Sequence, residues 1–282
     1  MTENSTIAAP KTLRPGRDLP VAVVVGVTLL VGVVASLFIR KEIFGVVAIV
    51  AVCAALWELA HAFARRNIHL PLLPLLVGAV GTLVSAYLAG PEALFVAFML
   101  TVGGVVVWRV LDGSGEAALR DASAGAFAAA YLPFLAGFAM LLLAEPDGPA
   151  RVLLFILMVV ASDTGGYAVG VLLGRHPLAP SVSPNKTWEG LLGSVVLASV
   201  VGVVGVQAAF GGEPLVGVVM GLATVVTATL GDLAESMLKR DLELKDMGRL
   251  IPGHGGILDR LDSLLLTAPA AYVILAVLQP AG

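Results

Sequence analysis

Five polar residues in the carboxyl-terminal third of this 282-residue chain fall at helical spacing: Asp232, Glu235, Ser236, Lys239 and Arg240 stand at offsets 0, 3, 4, 7 and 8. At 3.6 residues per turn they occupy about 140° of one helix face, on a segment that is otherwise apolar. An acid-then-base stripe of this kind suits the wall of a wet, ion-containing cavity; the alternative is a salt-bridged helix end at an interface. The segment that follows, Lys245–Ser263, reads KDMGRLIPGHGGILDRLDS. Gly253, Gly255 and Gly256 let backbone amides approach an anionic ligand, and His254 between them can donate to phosphate. Asp259 and Asp262 are three apart and share a face if a helix has begun there. Together with Asp246, Lys245, Arg249 and Arg260, these groups suit a phosphate substrate held by a divalent cation. Oxygen-rich, cysteine-free ligation favours Mg2+ or Mn2+ over Zn2+.

Two earlier segments carry weaker chemistry. Ser162-Asp163-Thr164-Gly165-Gly166-Tyr167 interrupts an apolar run, and a carboxylate at that depth faces a cavity, a partner or an ion, or makes a structural hydrogen bond between helices. Gly166, Gly170 and Gly174, four apart, read as a close-packing face for a neighbouring helix. The stretch Gly174–Gly190, GRHPLAPSVSPNKTWEG, contains prolines that forbid a continuous helix, with Ser183, Asn185, Lys186 and Thr187 as short polar groups. Lys186 can act as a point charge for phosphate and Trp188 as an interfacial anchor, although spacing alone reads as an ordinary loop. Glu58 and His61 have the Glu-x-x-His spacing of di-iron bundles, but one copy reads as an interhelical hydrogen bond. Asp112-Gly113-Ser114-Gly115-Glu116 reads as a turn and Cys53 as an inert buried thiol.

The elements that position these groups follow from composition. The chain is 58% hydrophobic and 13% charged, with 17 Lys+Arg and 20 Asp+Glu. That argues against a soluble globular enzyme, a disordered protein and a nucleic-acid binder, and the single cysteine excludes an intrachain disulfide framework and a cysteine-based zinc cluster. The expected fold is all-α and polytopic in a membrane. At about 20 apolar residues per crossing, nine spans are expected, near Pro20–Ile39, Ile43–Ala64, Leu70–Ala89, Ala93–Val110, Ser123–Leu143, Arg151–Leu173, Trp188–Phe210, Val216–Leu238 and Arg260–Leu278. Residues 1–18 read as a short disordered tail. The first apolar run continues to Ile39 and eight more spans follow, so it is read as an uncleaved helix and not a signal peptide. With these boundaries, 14 of the 17 Lys+Arg lie on the amino-terminal side. The positive-inside rule then places the amino terminus and the polar loops in the cytoplasm, in a multi-pass protein of the cell membrane with its polar cavity open to that side. No internal repeat is evident.

Ser236-x-Leu238-Lys239-Arg240, four residues, Lys245-Asp246-x-Gly248, then Ile251-Pro252-x-His254-Gly255-Gly256-Ile257-x-Asp259-Arg260-Leu261-Asp262 resembles the signature of bacterial phosphatidate cytidylyltransferases, also called CDP-diglyceride synthases. The SDTGGY and SPNKTWEG segments extend the likeness over roughly residues 162–262, whereas the first five spans match only in being hydrophobic. The resemblance implies transfer of the cytidylyl group of CTP to phosphatidic acid, giving CDP-diacylglycerol and pyrophosphate. It also implies Mg2+ on carboxylates corresponding to Asp232 and Asp259, K+ as a second ion, and a homodimer. On this reading residues 19–150 are scaffold and oligomer contacts, and residues 151–282 are the catalytic region, with the signature at 236–262.

The reaction expected is an in-line displacement at the α-phosphorus of CTP by a phosphate oxygen of the lipid. Asp232, Asp259, Lys239 and Asp246 are expected to be catalytic. Substrate binding falls to Ser162, Asp163, Asn185, Lys186, Thr187, Ser236, Arg240, Lys245, His254, Gly255, Gly256, Arg260 and Asp262. Phosphatidate arrives ionised, so no activated protein nucleophile is required. Two other readings stand beside this one: a CTP-using kinase of a polyprenol, and an ion-coupled transporter using Asp163 and Asp232 as intramembrane acids. Neither reading, nor the preferred one, involves nucleic acid.

Overall fold

In the computed structural model, the residues described are 28, 31–248, 250 and 255–279. The expected tail, half of the first span, and Gly253 and His254 lie outside them. Residues 31–39 form α1, followed by α2 (Lys41–Ala64), α3 (Leu72–Asp112), α4 (Glu116–Ala129), a π turn (Ala130–Phe134), α5 (Leu135–Ala144) and α6 (Gly148–Leu173). Two short strands, β1 (Pro177–Ala179) and β2 (Ser183–Thr187), precede α7 (Trp188–Phe210), α8 (Pro214–Asp241) and α9 (Leu258–Leu278).

Among the described residues, 7 helices are long and apolar enough to cross a membrane. One of them, α3, is two limbs. At Gly90 the backbone turns to φ 84° and ψ −167°, and Pro91 follows, so the intrahelical ladder breaks there. The Thr82 and Thr101 hydroxyls meet at 3.3 Å, although 19 residues of straight helix would separate them by about 28 Å. The limbs therefore fold back on each other, as the separate third and fourth spans require. Glu116–Ala144 crosses as one helix with a π turn in the middle, where Pro133 cannot donate to the ladder.

Helices α6 to α9 pack in chain order because small residues let their backbones touch. A methyl group on Gly165 would sit 2.5 Å from the Gly193 carbonyl, and one on Gly193 equally close to the Gly165 carbonyl. Ser194 Oγ donates to the Ser162 carbonyl at 2.6 Å across the same seam. The glycine face expected on the sixth span is thus met by α7, with Gly165 added to it. Gly231 on α8 similarly receives the backbone of Asp262 on α9. In the amino-terminal half, the loop end is tied by Asp121 of α4, which is buried and accepts from Arg109 of α3 at 2.7 Å and from the His69 amide at 3.0 Å.

The all-α expectation holds except at the Gly174–Gly190 stretch, expected to be a plain loop. There β1 and β2 pair antiparallel, with Pro177 opposite Thr187 and Ala179 opposite Ser183. Cys53 is half-buried.

Candidate active site

The short hairpin sets the first half of the site. Glu189, in the first turn of α7, accepts the amides of Arg175 and His176 at 3.1 and 3.2 Å and the His176 ring at 2.5 Å. Thr187 Oγ1 accepts the Gly190 amide at 3.1 Å and so caps α7. Anchored at both ends, β2 carries Lys186 over α8, where its ammonium pairs with Asp232 Oδ2. The other oxygen of Asp232 accepts from Ser263 Oγ at 2.5 Å. Ser263 lies beside Asp262 on α9, and its amide donates to Asp262 Oδ1 at 2.7 Å.

About one turn nearer the loop, a second ionic group forms. Lys239 donates to Glu235 Oε2 at 2.5 Å and to Asp259 Oδ1 at 3.1 Å. Asp259 Oδ2 also accepts the amides of Gly256 at 2.8 Å and Met247 at 3.1 Å. The stripe on α8 and the two aspartates on α9 therefore face each other across an antiparallel helix pair, and α9 begins at Leu258 so that Asp259 and Asp262 both lie on its opening turns. One expectation is redirected: the Gly256 amide, expected to meet an anionic ligand, is engaged by Asp259. Gly255 holds φ +82°, the left-handed turn that only glycine adopts freely.

A cavity of about 330 Å³ opens beside the first group. Ser162, Asp163, Asn185, Lys186, Thr187 and Asp232 line it, so these six expected residues converge. Ser236 is half-buried on α8, and Arg240, Lys245, Asp246 and Arg260 are exposed at the loop end, off the cavity wall. Reading the sequence noted Tyr167 and Ser183 without assigning them to the site, and it missed Ser194 and Thr229 on the wall and Ser263 on Asp232. It also missed Tyr131, whose buried hydroxyl has no hydrogen-bond partner among the described residues and lies within electrostatic reach of Glu235, Asp262 and Asp232. Ser263 follows Asp262 directly and was open to notice. Tyr131 sits on the π turn and gave no sequence signal.

Oxygen atoms make up the acidic donor set, which suits a hard divalent cation. Among the described residues no three His, Cys, Asp or Glu groups converge to hold an ion by themselves. Two aspartates are nonetheless enough for an ion that takes its remaining ligands from phosphate and water, as Mg2+ commonly does. Lysine ammonium groups already rest on both aspartates, so each carboxylate is shaped to receive positive charge.

Comparison with known proteins adds an independent finding. A model of the cytidylyltransferase family matches residues 20–278. A phosphatidate cytidylyltransferase of Mycobacterium leprae (strain TN) is 40% identical over 282 residues, covering 95% of this chain and 90% of its own length. One from Mycobacterium bovis (strain ATCC BAA-935 / AF2122/97) is 36% identical, covering 96% of this chain and 92% of its own.

Proposed function

This chain belongs to the cytidylyltransferase family, and from that premise we propose that it transfers the cytidylyl group of CTP to phosphatidic acid, forming CDP-diacylglycerol and pyrophosphate. The observation that carries the reading to these residues is the Lys186–Asp232 pair on the wall of a cavity at one end of membrane-length helices. Acyl chains can stay among the lipid-facing helices while a charged headgroup meets charged groups at the helix ends.

Both reactants are anions, so their repulsion must be offset before an oxygen of phosphatidate can approach the α-phosphorus of CTP. Lys186, Lys239, Arg240 and Lys245 supply positive charge along the cavity and loop. Asn185, Thr187, Ser162 and Ser183 offer hydrogen bonds that orient phosphate or ribose oxygens. Asp232 and Asp259 would hold Mg2+ or Mn2+, which when bound neutralises phosphate charge and stabilises the departing pyrophosphate. Asp163 lies on the same wall as Asp232 and keeps the cavity from accepting an anion without accompanying positive charge. The bond between the α-phosphorus and the pyrophosphate oxygen breaks as the lipid phosphate oxygen bonds to phosphorus. No enzyme-bound intermediate is needed.

The amino terminus and the cavity face the cytoplasm in this proposal, supported by the excess of Lys+Arg on that side. A homodimer and K+ as a second ion complete it, supported by the family resemblance. Purified protein given CTP, phosphatidic acid and Mg2+ should release pyrophosphate and CDP-diacylglycerol in equal amounts. Release of CDP with a phosphorylated lipid would establish kinase chemistry instead, and solute uptake indifferent to CTP would establish transport.

A further inference from the structure

Glu58 stands within α2, a helix remote in sequence from every residue of the site, and is 1% exposed. Its Oε2 accepts the amide of Leu258, the first residue of α9, at 3.0 Å across 200 residues of sequence. Ile257, which precedes that helix, makes no side-chain cap, so the capping acceptor comes from α2. The same carboxylate fills a notch between two glycines of the signature loop. A methyl group on Gly256 would lie 2.6 Å from Glu58 Oε2, and one on Gly248 would overlap the Glu58 carboxylate outright. Gly248 does not hold a left-handed backbone, so space for Glu58, and not backbone freedom, is what requires glycine there.

The same loop also receives Asp259. A methyl group on Gly256 would also lie 2.8 Å from Asp259 Oδ2, the oxygen that accepts the Gly256 amide. Glu58 and Asp259 therefore both crowd Gly256 and leave no room for a side chain there, and Leu258, capped by Glu58, is the residue before Asp259. Arg66, just past the end of α2, donates to the Asp241 carbonyl at the end of α8 at 3.0 Å, a second contact between this part of the chain and the approach to the loop.

We infer that Glu58 is a positioning residue for cytidylyl transfer: it locks Gly248, Gly256 and the first turn of α9 so that Asp259 faces Lys239. The inference rests on the proposed role of Asp259 in that reaction, and it brings the amino-terminal half of the chain into the construction of the site. Glu58 Oε1 has no hydrogen-bond partner among the described residues. One accepted hydrogen bond and the bulk of the group carry the contact, and an amide can replace the carboxylate.

The test uses the full-length protein in detergent, with turnover of CTP and phosphatidic acid read beside amide hydrogen exchange over residues 246–262. Glu58→Ala should lower kcat about tenfold or more while the KM for CTP stays within about threefold, since misplacement of a positioned group is felt mainly in the chemical step. Exchange over 246–262 should quicken about tenfold as the loop loses its wedge. Glu58→Gln should restore both readouts to within about threefold of the unaltered protein, because it keeps the acceptor and the volume. Gly248→Ala alone should be as damaging as Glu58→Ala, yet added to Glu58→Ala it should cost less than about twofold more, the non-additivity of two groups in contact. Unchanged exchange and turnover in Glu58→Ala, a Gln variant as defective as the Ala variant, or additive losses in the cycle would overturn the inference. Should Glu58→Ala not fold, Glu58→Gln and Gly248→Ala decide it by the same readouts. An unaltered protein that turns over no CTP would instead sink the proposed reaction, and the exchange measurements would still judge the positioning.

Discussion

At the end of the α6–α9 bundle remote from the signature loop, Arg151 is 2% exposed. Its guanidinium donates to Asp147 at 2.5 Å and to the Gln279 carbonyl at 2.8 Å, with the Leu275 carbonyl at 3.4 Å and the Phe210 ring at 5.4 Å. At the loop end, the side chains of Lys186 and Lys239 are 27% and 20% exposed, and each rests on carboxylates beside open space or loop. Both ends place cations among helix ends, but only one saturates them. Arg151 meets the last carbonyls of α9, where its charge also complements the helix dipole, and each of its three guanidinium nitrogens already has an acceptor. Around Lys186 and Lys239, Glu235 Oε1 lacks a hydrogen-bond partner among the described residues, and Asp232 borders a cavity. A saturated ion holds helices together, whereas an unsaturated set is ready to exchange partners with a ligand.

The strongest way to break this contrast is to neutralise the exchangeable carboxylates. Asp232→Asn and Asp259→Asn should each lower turnover about 100-fold or more, because each removes charge that matters chiefly in the transition state. Their helical content and unfolding midpoints should stay near those of the unaltered protein. Wild-type turnover in either variant would remove that residue from the site, and a collapse of folding would class the group with Arg151.

The remote end should respond in the opposite currency. Arg151→Met leaves Asp147 unpaired and uncaps α9, which by analogy with other broken buried pairs costs about 3 kcal/mol of stability. Turnover per folded molecule should remain within about twofold, as no group of the site is touched. Thermal unfolding followed beside CTP turnover separates the two effects, and a selective loss of kcat in a stable variant would show that the two ends are coupled. Of intermediate size is Lys186→Met, expected to lower kcat/KM for CTP about tenfold to 100-fold with folding intact, since it removes a single point charge for phosphate. Lys186→Arg should recover part of that loss.

How far the sequence foretold this arrangement depended on the range of the physics involved. Apolar runs of crossing length are local, and so the helices from α2 to α9 fall close to the expected spans; the break at Gly90-Pro91 is local too. The stripe from Asp232 to Arg240 was readable because helical spacing alone puts those residues on one face. What each of them meets was not readable. Lys186 reaches Asp232 only because a hairpin of three- and five-residue strands is pinned by Glu189, and its Pro, Ser and Asn composition reads as loop. The Gly256 amide turned to Asp259 instead of outward, a choice made by a neighbour three residues on and visible only once the turn at Gly255 exists. Glu58 was read as an interhelical hydrogen bond, which it makes, but periodicity gives no hint that its partner is the signature loop 200 residues away.

The smallest expected effect sharpens the comparison between α2 and the turn that follows it. Arg66 and Glu58 both lie on the α2 side of the signature segment, and both bond its backbone. Arg66 also pairs with Glu243 at 2.8 Å, but the two side chains are largely solvated. Water can take the place of either partner, so Arg66→Ala should cost less than about 1 kcal/mol of stability and less than about twofold in turnover, and high salt should erase the difference. Glu58 has no water to retreat to, and its loss leaves the Leu258 amide buried without an acceptor. If Arg66→Ala proved as damaging as Glu58→Ala, docking of α2 as a rigid body, and not the dry contact of one carboxylate with two glycines, would be what holds Asp259 in place.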